Sequence, residues 1–198
     1  MDSIPEPQLA PPGAGLPKPE LYIGRLLFAV NRWAGNRTTF DARFQLERQK
    51  IRELLATCPP DACGKRVLIA RPRGMEDSSR YWSIWMTLDH LRIIHRSFMQ
   101  VITQLSQGKT PAGRASTANV KPSTSVNAAV VGDYEKSCDD LLATVASIPN
   151  LKTGVRYLHP WFGSLDAAGW HAIAGTHLAI HRVQIERIIA GLGDVRRQ

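Results

Sequence analysis

The run HPWFGSLDAAGWHAIAGTHLAIHRVQIERIIAGLG, residues 159–193, places His177 and His181 four positions apart in what reads as one long helix. Asp166 is a good N-cap for that helix, and Gly191 or Gly193 supplies a stop. Positions i and i+4 stand one above the other on a helix, so both imidazoles can reach one ion. An enclosed first-row metal needs at least one further protein ligand. The other strongly apolar helical stretch offers it as His90, in TLDHL.

Helical spacing recurs along the chain. Leu26, Leu27, Val30 and Trp33 follow a helix start at Pro19 or Glu20, GNRTT at 35–39 is a break, and Phe44, Ile51, Leu54 and Leu55 carry an apolar face to Cys58-Pro59-Pro60. One bent helix or two would satisfy this pattern equally. Ser78 or Ser79 can cap a further helix that ends at Gly108; its apolar residues occupy almost every side, which marks it as the most buried. Residues 109–130 are small and polar and too long for a tight helix hairpin, so they read as a crossover along a bundle. A shorter helix, Tyr134–Ser147, follows. The single β-like run, Val67–Ala70, has no evident partner and reads as loop. The prediction is an all-α fold: a four-helix bundle with a long crossover connection in residues 20–198, behind an N-terminal Pro-rich arm, residues 1–19, that is extended or disordered.

A length of 198 residues suits one core, and no apolar run approaches a membrane span. The N-terminal segment lacks the basic start and apolar centre of a signal peptide, which predicts a cytoplasmic protein. Its three cysteines then read as reduced thiols, and the Cys58–Cys63 spacing, with two prolines inside it, is a poor zinc knuckle. The formal net charge is +8, most of it in residues 21–80, yet the arginines there are scattered. Solvated helix faces account for them better than a nucleic-acid partner does.

By helical phase, Trp170, Ala174, His177, His181, Gln184 and Ile188 share one face of the last helix, and His171 points elsewhere. His90 shares its face with Met86, Thr87, Ile94 and Ser97, while His95 lies about 140° away. His90, His177 and His181 are therefore predicted to converge inside the bundle, with His95 and His171 left outside. A lone His-x3-His pair is most simply two core polar residues; a third histidine in phase on another buried helix favours a metal. Three neutral imidazoles suit zinc, nickel, copper or ferrous iron. Trp82, Trp85 and Trp170 are candidates for pocket walls, although large aromatics at helical spacing fit a core as well. Neither Asp89 nor Glu186 has a phase that makes it a general base, so no residue is assigned a catalytic role.

TLDHL within a long helix, followed far downstream by HPWFGSLDAAGWHAIAGTHLAIHR, resembles the DinB/YfiT-like superfamily of metal-binding four-helix bundles. The resemblance spans roughly residues 40–191 and is closest in HPWFG-x-L...W...H-x3-H. It implies a ligand set of one histidine from the second helix and two from the last, here His90, His177 and His181. It also implies a pseudo-symmetric bundle, a homodimer, and a divalent metal, with zinc or nickel ahead of iron. Characterised members include thiol-dependent S-transferases and a mycothiol-dependent maleylpyruvate isomerase. The resemblance thus implies a divalent-metal-dependent enzyme, a thiol S-transferase or a hydrolase, whose ion activates a low-molecular-weight thiol or water toward a small-molecule substrate. The alternative is a non-catalytic, metal-binding dimeric stress-response module. The helical segment 20–34 and the loop 110–130 depart from the family pattern, and either can cover the open metal position or join a dimer contact.

Overall fold

Two residues divide the first apolar stretch. Asn36 accepts the backbone N–H of Thr39 on its side chain and donates its own N–H to the Thr39 hydroxyl, a reciprocal cap that starts a new helix. A Cβ on the preceding Gly35 would fall 2.3 Å from the Phe40 ring, so only glycine permits the turn. The result is two helices, α1 (Lys18–Ala34) and α2 (Arg37–Thr57), in a computed structural model that describes residues 6–195. Residues 1–5 of the arm and 196–198 lie outside the described residues.

The next helix, α3 (Ile84–Ser106), starts at Ser83, whose hydroxyl accepts the Met86 N–H at 3.1 Å, and not at Ser78 or Ser79. Those serines belong to a single 3-10 turn, Asp77–Ser79. After it, β2 (Tyr81–Trp82) pairs antiparallel with β1 (Val67–Leu68). The β-like run therefore does have a partner; Tyr81 and Trp82 satisfy helical and strand patterns alike, and pairing across the loop decides between them. A second small ladder, β3 (Tyr157–His159) with β4 (Gly163–Leu165), turns through Gly163 at φ +77°. Between the ladders, α4 (Val130–Ser147) begins one turn earlier than its apolar pattern shows.

The last helix, α5 (Ala167–Val195), starts where Asp166 accepts the Gly169 N–H at 2.9 Å. It passes both Gly191 and Gly193. Neither takes the left-handed conformation that closes a helix, and a Cβ on Gly191 would meet Val67 of β1 at 2.6 Å, so this glycine serves close packing and not termination.

Helices α2, α5, α3 and α4 pack in that order. The ring closes where buried Arg48 of α2 reaches Glu135 at 2.5 Å and Asp139 at 2.6 Å on α4. Phe44, Ile51, Leu88, Ile102, Leu141 and Leu178 fill the centre. Gly175 lets α2 and α5 approach: a Cβ there would stand 3.1 Å from the Arg43 side chain and 3.2 Å from the Phe44 backbone nitrogen. The fold is thus mostly helical, with two short ladders in its connections.

Helix α1 lies outside that ring and is tied down at separated points. Glu20 pairs with Arg71 at 2.6 Å, Arg25 donates to the Trp161 carbonyl at 2.5 Å, and Arg32 pairs with Asp166 at 2.7 Å. Phe28, its one buried residue, packs on Phe162. The opposite face, with Tyr22, Leu26, Val30 and Trp33, is exposed. The segment before it is held by carboxylates: Ala10 donates to Asp77, and Gly13 and Gly15 donate to Glu76. Among the described residues, no helix is long and apolar enough to cross a membrane.

Candidate metal centre

The phase argument for α3 and α5 places three imidazoles together. His90, His177 and His181 each present one ring nitrogen, and these atoms lie within 4.8 Å of one another. The Nε2 atoms of His90 and His177 are 3.3 Å apart. Two nitrogens each about 2.1 Å from one tetrahedral ion would stand about 3.4 Å apart, so this spacing fits a shared metal. Among the described residues, no further His, Cys, Asp or Glu joins the cluster.

The hydrogen bonds behind the rings fix which nitrogen faces inward. His90 Nδ1 lies 2.6 Å from the Val120 carbonyl, which can only accept, so Nδ1 carries the proton and Nε2 keeps its lone pair. The same deduction runs one residue further for His181. The Gln184 amide donates through Nε2 to the Ser79 carbonyl at 2.7 Å, so its Oε1 faces His181 Nδ1 at 2.6 Å and accepts that proton. Both tautomers therefore aim Nε2 at the common point, an arrangement that orients and strengthens metal-ligating imidazoles. His177 Nδ1 is buried without a hydrogen-bond partner among the described residues.

Burial also sets the charge state. It pushes His181 down to about 4 and holds His90 and His177 well below the ordinary imidazole range, where the His181 ring further disfavours charge on both. All three are neutral at physiological pH, the form that ligates. Trp82 stacks parallel to His181 and tilts against His90, closing one wall.

The other walls come from connections. Thr117, Val120 and Lys121 of the long α3–α4 segment and Gly74, Met75 and Glu76 of the loop before α3 line the pocket beside the imidazoles, which encloses about 80 Å³. Glu76 is a buried carboxylate in this pocket that helical phase had no means to find, since it lies on a loop. Burial pushes its pKa up, yet hydrogen bonds from Thr117 at 2.8 Å and Gly13 and the Lys121 ammonium at 3.2 Å outweigh this and leave it below the usual carboxylate value. It is an ionised hub with its lone pairs engaged, not a free base.

Asp89 and Glu186 stay out of the pocket: Asp89 holds Arg92 and the Ser123 N–H, and Glu186 pairs with Arg182. Trp82 walls the site, Trp170 packs under Phe98 and Tyr157, and Trp85 stands against Gly64. His95 and His171 are away from the cluster but not outside the fold. His95 is buried against Ser137 of α4 at 2.9 Å, and His171 against Asp41 of α2 at 2.9 Å, because each central helix has neighbours on more than one side. Cys58, Cys63 and Cys138 are free and buried.

No curated protein matches the chain. Among solved structures, TT2238, a four-helix bundle protein, superposes with a TM-score of 0.53 at 19% identity, covering 75% of this chain and 97% of its own, which shows the shared fold. The sequence also matches the profile of the DinB superfamily over residues 43–185, a span that begins in α2, ends in α5 and contains all three clustered histidines while leaving α1 outside. Members of this superfamily are generally metal-associated. On that match, the chain belongs to the DinB superfamily.

Proposed function

We propose that this protein is a divalent-metal-dependent enzyme in which His90, His177 and His181 hold the ion, zinc or nickel ahead of iron, and leave one side open to a small-molecule reactant. The observation that carries the reading is the set of neutral imidazoles aimed at one point by the Val120 carbonyl and the Gln184 amide. When bound there, the ion supplies Lewis acidity, which makes a coordinated thiol or water deprotonate near neutral pH.

The chain's own groups favour a thiol. A protein that activates water is helped by a free base, and the pocket's carboxylate, Glu76, is already saturated with donors. A thiol, with a pKa of about 8.5 against about 15.7 for water, needs far less assistance. Thiol-dependent S-transfer is accordingly the preferred reaction class. Trp82, Ile94 and Phe98 exclude water around the imidazoles, and Lys121 with Glu76 orders the mouth.

The reading includes a cytoplasmic homodimer and no nucleic-acid partner. Arg32, Arg48, Arg52, Arg66, Arg71 and Arg80, which supply much of the positive charge of residues 21–80, sit in ion pairs. The exposed apolar face of α1 supports self-association, and it equally favours a second reading, a non-catalytic metal-binding dimeric stress-response module. A protein side chain completing the ion's coordination in a metal-loaded crystal would select that second reading.

The deciding experiment is elemental analysis of protein purified without chelator or nickel resin, for wild type and His90→Ala, His177→Ala and His181→Ala. Near-stoichiometric metal in wild type and its loss in each variant is expected, followed by a screen of thiols against electrophiles. Wild type that is metal-free and takes up no zinc, nickel or iron would overturn the proposal.

A further inference from the structure

Beside the imidazole pocket lies a second cavity, of about 530 Å³, roofed by α1. The two adjoin, with Gly74, Trp161, Phe162, Thr176 and Ile180 lining both. Its volume is in the range of small-molecule sites, whereas closely packed interiors leave few voids larger than a water. Apolar surface dominates the roof and floor, from Leu21, Leu27, Phe28, Phe162 and Ile180. The anchors of α1 leave its middle spanning this space. At that middle stands Gly24, where an added Cβ would meet nothing within 4 Å.

The polar groups on the cavity wall are mainly unmatched donors. Arg43, half-buried, and Arg73, exposed at the rim, make no ion pair among the described residues. Asn31 buries its side-chain Nδ2 without a hydrogen-bond partner. The one carboxylate on the wall, Glu20, is already taken by Arg71 and the Gly74 N–H. A buried amide donor left unmatched, beside a half-buried and an exposed guanidinium free of carboxylates, favours an acceptor-rich anion.

We propose that this cavity binds a small amphipathic anion, its apolar body under α1 and its anionic group met by Arg43, Arg73 and Asn31, as the reactant presented to the three-histidine site. The role as reactant rests on the reading of that site as a metal centre; the binding itself does not. The roof of the cavity, α1, lies outside the span matched by the superfamily, while Arg43, Arg73 and the floor lie within it.

The test uses two fluorescent probes with the same aromatic body, anilinonaphthalene sulfonate and neutral phenylnaphthylamine, titrated into the full-length protein. Both should bind, the sulfonate about tenfold more tightly, as expected for a hydrogen-bonded charge. Gly24→Phe fills the cavity from its roof and should abolish both, while Gly24→Ala, checked by thermal melting alongside it, should leave both bound. Arg43→Met should remove the advantage of the sulfonate and leave the neutral probe unchanged. Leu26→Ala and Trp33→Ala, on the outer face of α1, should change neither. Equal affinity of the two probes in wild type would overturn the anionic assignment. Binding that survives Gly24→Phe, or that is lost with Trp33→Ala, would overturn the cavity assignment. The same titration on wild type and His177→Ala, each with its metal content measured, separates the two readings. Probe binding by a wild type that takes up no zinc, nickel or iron leaves the cavity standing and removes the metal centre; metal present in wild type and lost in His177→Ala, with no probe binding in either, does the reverse.

Discussion

Gln184 offers the sharpest test of how the site is built. It is fully buried, and its amide is used at both ends, donating to the Ser79 carbonyl at 2.7 Å and accepting from His181 Nδ1 at 2.6 Å. Gln184→Met keeps the length of the side chain and deletes both contacts. Two buried groups then lose their partners at about 1–3 kcal/mol each, so the stability loss should be about 2–6 kcal/mol. That is a large share of the roughly 5–15 kcal/mol available to a domain of this kind. Independently, removing the partner of a ligating imidazole costs about 10–100-fold in metal affinity, equivalent to about 1.4–2.7 kcal/mol. Gln184→Glu separates the two effects. A carboxylate still accepts from His181, and does so more strongly, but cannot donate to Ser79. Metal affinity should be kept while stability falls. The assay is competition for zinc against a chromogenic chelator at neutral pH, with urea unfolding of the stripped protein in parallel. If Met and Glu variants lose zinc equally, the contact to Ser79, and with it the placement of the loop, controls affinity, and the argument from the His181 tautomer is refuted.

Other expectations follow from the same packing. Burial, reinforced by Arg48, lowers His95 to about 3, and burial alone lowers His159 to about 3, whereas both titrate near about 6.5 unfolded. The unfolded chain therefore binds more protons in this window, so stability that is fully present above about pH 6.5 is lost as pH falls toward 3; His95→Gln should flatten the upper part of that slope in urea titrations at stepped pH. Gly132→Ala on exposed α4 backbone has open space and should stabilise by up to about 1 kcal/mol, while Gly175→Ala should destabilise because the α2 backbone must yield; equal thermal shifts would contradict the packing account. Burial holds His181 at about 4 and His90 and His177 well below the ordinary imidazole range, so protons should displace the metal only as pH falls toward about 4, and release already complete at about pH 6 by elemental analysis would contradict three buried, neutral ligands. Leu26→Glu with Val30→Glu should convert a dimer to a monomer in light scattering, and an unchanged mass would place any dimer contact elsewhere.

What could be read from the sequence alone was whatever repeats at helical period. The face shared by His177, His181 and Gln184, and the matching phase of His90, needed only 3.6 residues per turn, because neighbours on one helix are fixed by its geometry whatever surrounds it. The same regularity made the bundle legible, and Asp166 was readable as a cap because capping is local chemistry. The helix boundaries at Ser83 and beyond Gly193 were not, since strand pairing with Val67 and packing of Gly191 against the same residue override local propensity. Contacts between segments far apart in sequence were likewise decided only in the tertiary structure. Val120 reaches His90 across 30 residues and Ser79 reaches Gln184 across 105. Glu76 gathers Thr117 and Lys121, and α1 roofs a cavity against Ile180 and Phe162. The sequence determined which side chains each helix offers; only folding decided what stands opposite them, because loop partners carry no period and their positions depend on how the whole chain packs.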